Sequence, residues 1–152
     1  MSFKVQKIRK KAELFLADGS NMAGNFFVSP QTPNHAGSES ISDLLTNERI
    51  YIPFELNDGD VVLVQKESIV MILLKESELN KDLPYLKSSR VTVLLLSGET
   101  LEGEVYLDLP QSRSRLSDFL NYSKEFFYLE VENQDYLVNS RFVKIVQPAM
   151  SE

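Results

Sequence analysis

The chain has 152 residues, a net charge of −6 and no cysteine, which excludes disulfides, thiolate chemistry and cysteine metal sites. Apolar residues make up 43% of it, enough for a packed core and too many for a disordered protein. No apolar run approaches the ~20 residues of a membrane-spanning helix, and the opening MSFKVQKIRK lacks the apolar core of a secretion signal, so a soluble cytoplasmic protein is expected.

In chain order, residues 1–11 form a basic arm or first strand, with Lys4, Lys7, Arg9, Lys10 and Lys11 and no acid. The rest is acidic, with twelve acids against four bases in residues 12–82 and ten against seven in residues 83–152. Such a body argues against a broad phosphate-binding surface, because nonspecific nucleic-acid affinity comes mainly from neutralising backbone charge. The arm is a solubilising strand end or a contact for an acidic partner.

Residues 12–74 read as one small β unit. Glu13 to Val28 gives a strand, a turn and a strand, with Gly19 suited to a hairpin turn at positive φ. Gly24 falls inside the second strand, where glycine weakens pairing, and predicts a bulge or sharp bend. Ser29 to Ser40 is a Pro/Gly/Ser-rich loop holding the only histidine, His35. A general base or metal ligand needs a fixed partner, and Asn34 and Ala36 supply none. Ser42 and Asp43 offer oxygen acceptors at the start of a helical turn, whose Leu44 and Leu45 would plug the end of a barrel. Two strands follow around Asn57-Asp58-Gly59-Asp60. That string reads as a turn, since the distal bidentate glutamate of a calcium loop is missing. After a kink at QKES, Ile69 to Leu74 is apolar throughout, which predicts a strand covered on both faces.

Residues 75–90 are a charged linker broken by Pro84, and residues 91–148 repeat the first unit. Thr92 to Leu107 reads onto Glu13 to Val28 at an offset of 79, placing Gly98 on Gly19 and Gly103 on Gly24. LSDFL at Leu116 to Leu120 reads onto ISDLL at Ile41 to Leu45 at an offset of 75. Phe126 to Leu129 then falls on Tyr51 to Phe54, and Phe142 to Val146 on Ile69 to Leu73. Val91 to Leu96 also lacks alternation and is expected to be covered on both faces, by the other copy or by another subunit. The expected fold is all-β: two tandem small antiparallel barrels of the Sm or Src-homology-3 type, each of five strands plus one short helical turn, packed together.

The string Arg115-Leu116-Ser117-Asp118-Phe119-Leu120-Asn121, followed by Phe126-Phe127 and by Leu137 to Val143, resembles a bacterial family of small uncharacterised β domains with an R-L-S-D-x-L-N signature. The likeness covers about residues 91–146. The first copy departs from it at Ser40, in place of Arg115, and at Thr46, in place of Asn121. The resemblance implies a small β fold and a bacterial origin, and it brings no activity with it.

Chemical signatures are sparse. No G-x-S-x-G turn supports a serine nucleophile, and neither phosphate-binding glycine motif occurs. The R-x-x-x-R arm of PilZ-type cyclic-dinucleotide receptors is missing. Arg113 and Arg115, two apart, could pair on an anion, with a solvated loop the plainer expectation. Asp43 and Asp118 occupy equivalent capping positions in separate copies and are not expected to meet as an acid–base pair. Phe126, Phe127 and Tyr128 could stack bases, but Glu125, Glu130 and Glu132 surround them, and alternation sends at least one ring into the core. The expectation is therefore a non-enzymatic interaction or scaffold module that binds protein and self-associates as a homo-oligomer, with no cofactor or metal. The candidate interaction surface is Lys7, Arg9, Lys10, Lys11, Arg113, Arg115 and Phe127. The alternative is an Sm-like nucleic-acid binder using the basic arm and the aromatic strand, and an enzyme with a site between the barrels comes third.

Overall fold

The computed structural model describes residues 7–32, 37–82, 86–107, 115–122 and 125–149. The first half contains β1 (Ile8–Leu16), β2 (Asn21–Val28), α1 (Ile41–Leu45), β3 (Tyr51–Leu56), β4 (Val61–Gln65) and β5 (Ile69–Leu74). The second contains β6 (Lys87–Leu95), β7 (Thr100–Leu107), α2 (Leu116–Tyr122), β8 (Phe126–Val131), β9 (Gln134–Asn139) and β10 (Val143–Pro148). The kink at QKES is a 3-10 turn, Lys66–Ser68, and a second 3-10 turn, Ser140–Phe142, stands at the matching place in the second half. β6 begins at Lys87, so its first residues come from the end of the expected linker.

The fold is all-β: ten antiparallel strands form a single, unclosed sheet in the order β10-β6-β7-β8-β9-β5-β1-β2-β3-β4. Each half contributes five adjacent strands in the same internal order, with its last strand beside its first. The halves meet edge to edge, through β5 and β9.

Local chemistry explains why the halves match. β2 and β7 share one alternation of exposed and buried residues, the period-two pattern of a strand with one face on a core. In the hairpin turns Gly19 sits at φ 89° and Gly98 at φ 97°, where a Cβ would be strained. Between β1 and β5 the register slips at Phe15/Leu16, and between β6 and β10 it slips at Val143/Ile145. These irregularities occupy matching places. Aligned this way, Ile69 corresponds to Val143, one residue beyond the Phe142 expected from the sequence. The cause is the preceding turn. β8 and β9 join through a two-residue turn, Glu132 and Asn133, both at positive φ (51° and 65°), whereas β3 and β4 use a longer turn closed by Gly59. In that turn the Asp60 N–H donates to Asp58 Oδ1 at 2.9 Å.

Gly24 and Gly103 serve a different purpose from the expected bulge. Their strands pair without interruption, Ala12 opposite Gly24 and Val91 opposite Gly103. The neighbouring strand comes so close that a Cβ on Gly24 would lie 1.9 Å from the Glu55 carbonyl oxygen, and one on Gly103 2.2 Å from that of Glu130. Backbone cannot yield as a side-chain tip does, so Gly24→Ala and Gly103→Ala are each expected to cost ~1–3 kcal/mol. Urea titration reads this as a lowered midpoint, and an unchanged midpoint in both variants would contradict the close approach.

Two apolar clusters fill the halves. The first gathers Leu14, Phe26, Phe54 and Ile72 and is closed by Ile41, Leu44 and Leu45 of α1. The second gathers Val91, Val93, Val105 and Leu129 and is closed by Phe119 of α2. α1 starts one turn-step earlier than expected. Ser40 is its N-cap, accepting from the Asp43 N–H at 2.9 Å, while Asp43 Oδ2 accepts the Ser40 N–H at 3.1 Å, a reciprocal capping box. β5 is covered on both faces, as expected. β6 is not: it lies one strand from the end of the sheet, Leu94 is half-buried and Leu96 is exposed.

Candidate interaction surface

The contact between halves is an edge joint with side chains threaded across it. β5 and β9 pair as Met71 with Val138, Ile72 with Leu137, Leu73 with Tyr136 and Leu74 with Asp135. From the second half, Leu137 and Phe126 enter the first apolar cluster, and Met71 of the first half enters the second. The fully buried Asn139 completes the joint, its Nδ2 donating to the Ile69 carbonyl at 2.9 Å. A buried amide with a partner fixes register, because any slip would leave it unsatisfied.

The chain leaving β5 locks this joint from outside. Glu78 accepts the Ile41 N–H at 2.7 Å and the Tyr128 hydroxyl at 3.0 Å, and Lys10 Nζ lies 3.6 Å from it. Burial, then the Glu78 charge, push the Tyr128 phenol well above its usual value. Further along, Ser77 and Lys81 hold the buried Asp135, and Lys81 also pairs with Glu130, which accepts from the Tyr106 hydroxyl at 3.0 Å. Burial lowers the Lys81 ammonium, but the hydrogen bonds to Asp135 and Glu130 outweigh it and leave the group raised. Burial first and Glu130 second push Tyr106 up to about 12.

Both groups make the fold lose stability at high pH. Between the ordinary phenol value of 10.0 and about 12, folded Tyr106 keeps a proton that the unfolded chain releases, so stability falls as pH rises through that window. Lys81 acts in the same direction: its contribution is complete below 10.5 and is lost as pH climbs through its raised folded value. Urea midpoints should therefore decline across this range, and Tyr106→Phe should flatten part of the decline. A Tyr106→Phe profile parallel to that of the native chain would contradict the linkage.

Among the described residues, β4 and β10 are paired on one side only. They are the counterparts of the two strands that make the joint, β4 matching β9 and β10 matching β5. Their exposure differs sharply from that of the joined pair. Leu63 on β4 is 66% exposed where its counterpart Leu137 is 0% exposed, and Ile145 on β10 48% where Met71 is 8%; on the adjoining β3, Tyr51 is 53% exposed where Phe126 of β8 is 5%. Of the seven exposed large apolar side chains among the described residues, Ile50, Tyr51, Val61 and Leu63 lie at the β4 end and Ile145 at the β10 end. Isolated exposed apolar residues are ordinary, whereas a cluster on an open strand edge is a candidate pairing surface.

The surface expected from the sequence disperses. Phe127 is buried in the second cluster and cannot contact a partner. Phe126 is buried as well and Tyr128 is half-buried, both against the first cluster, because the other half covers that face of β8. Lys7 is exposed and donates to Ser29 Oγ at 3.1 Å. Arg9 lies over the Phe27 ring and bonds Glu55 Oε1 at 2.9 Å, which holds the Glu55 carboxyl below its usual value. Lys10 turns to Glu78, Lys11 is exposed on β1, and Arg115 is exposed at the start of α2. Arg113 and His35 lie outside the described residues. A cleft of about 340 Å³ between the hairpin turns is lined by Phe15, Met71, Leu95 and Leu96 among others, with Glu99 its sole carboxylate.

No protein-family model matches this chain, and no curated protein or solved structure is significantly similar to it. Among the described residues no helix is long and apolar enough to cross a membrane.

Proposed function

We propose that this chain is a non-enzymatic scaffold module of two fused barrels, one per half, arising by duplication and acting through protein binding that begins with self-association. The single observation carrying this is the concentration of exposed apolar side chains, Tyr51, Leu63 and Ile145, on the two open ends of the sheet. The separate apolar clusters and the repeated strand order support the barrel assignment, and the second half's R-L-S-D-x-L-N string supports a bacterial β-domain origin. The cleft between the halves offers an apolar lining and one carboxylate, which supports binding over catalysis. A nucleic-acid surface would draw on Phe127, which is buried, and on Arg9 and Lys10, which face Glu55 and Glu78.

Light scattering coupled to size exclusion tests the self-association directly. The expected result is a mass that is a multiple of the 17.3 kDa chain and grows or stabilises with concentration. A mass of one chain at every concentration would end the self-association reading.

A further inference from the structure

We infer that chains join head to tail, β10 of one molecule pairing antiparallel with β4 of the next, in the register of the internal β5–β9 joint. This deepens the self-association proposed above and rests on it. The internal joint shows what a last strand of one half does with the fourth strand of another. Each chain carries one further last strand, β10, and one further fourth strand, β4, both open among the described residues.

The register transfers residue by residue. The pairs Met71–Val138, Ile72–Leu137 and Leu73–Tyr136 become Ile145–Val64, Val146–Leu63 and Gln147–Val62 between molecules. Leu63 would then enter the second apolar cluster of the neighbour as Leu137 enters the first, and Ile145 would enter the neighbour's first cluster as Met71 enters the second. Leu63 and Ile145, both exposed in a single chain, thereby have a place prepared for them in the next. Gln65 stands where Asn139 stands, at the start of the 3-10 turn. Its amide can reach the Val143 carbonyl as Asn139 reaches that of Ile69.

The two joints are not equal. Pro148, opposite Val61, has no N–H to donate. Association between chains is therefore weaker than the link within one and responds to concentration. Because β4 and β10 are different surfaces, the contact is heterologous. It repeats from chain to chain, closing into a ring when the rotation per joint divides a full turn and otherwise extending as a filament.

The test uses the absence of native cysteine. Val62→Cys and Gln147→Cys chains are made separately, mixed, and oxidised mildly. Opposed strand residues lie ~4.5–5.5 Å apart, within disulfide range. A disulfide-linked dimer in the mixture and none in either variant alone is expected. Dimers from Val62→Cys alone would mean β4 meets β4, and dimers from Gln147→Cys alone would mean β10 meets β10. Either result, or no dimer in the mixture, overturns the joint. Leu63→Cys mixed with Val146→Cys repeats the test at the adjacent pair should Val62→Cys fold poorly. Light scattering on the native chain separates the two levels: an assembly without these crosslinks removes the joint alone, and a mass of one chain removes self-association with it.

Discussion

Leu63→Arg is expected to dissolve the assembly and leave the chain folded. In a single chain Leu63 is 66% exposed on the open strand β4, so the substitution should move fold stability by no more than ~0.5 kcal/mol. At the proposed joint between chains the same side chain would take the place that Leu137 holds inside one. Arginine there forfeits ~1.5–3 kcal/mol of leucine burial and sets an unpaired charge among apolar groups, at a further ~3–5 kcal/mol. Association should weaken by at least ~10³-fold, since each 1.4 kcal/mol is about a factor of ten. Sedimentation velocity checks the assembly, and a thermal melt checks the fold. An unchanged sedimentation profile would place the interface elsewhere.

Leu137→Ala should give the opposite readout. Leu137 is fully buried and packs among residues of the first half, so its truncation leaves a cavity where the halves interlock. The expected cost is ~2–5 kcal/mol, or roughly 4–20 °C in Tm for a chain of this size. Leu63→Ala, at the matching place in the other half, should leave the melt of a single chain essentially unchanged. Calorimetry at low concentration compares the two. Equal losses would mean that β4 is covered within one molecule, and a loss well below ~1 kcal/mol for Leu137→Ala would mean that the halves do not share this core.

What the sequence disclosed was largely local. The pairs Gly19 and Gly98, and the apolar blocks around them, marked the hairpins because positive φ and period-two burial are properties of a few adjacent residues. Ile69 to Leu74 announced a doubly covered strand for the same reason. Gly24 and Gly103 were conspicuous, but their cause is a carbonyl from a strand distant in sequence, at Glu55 and Glu130, and nothing nearby points to it. Phe127 stood on the candidate surface, but it faces the second cluster of its own half, while the first half covers Phe126 on the opposite face of β8. Leu63 and Leu137 are both leucines in similar strands. Their different fates follow from position in a ten-stranded sheet, a property that no window of sequence contains. The signal that would have found the surface was the repeated pattern itself: two halves of one strand order that join once inside a chain must leave one open edge of each kind.

Hydrogen exchange on the native chain, across a dilution series, tests the joint most directly. Open-edge amides exchange freely, and those in a paired ladder are protected. The expected result is that outward amides of β4 and β10 gain protection together as concentration rises, while β5 and β9, already joined, do not change. Exchange at β4 and β10 that stays fast and independent of concentration, in a chain whose β5 and β9 are protected, would contradict the account.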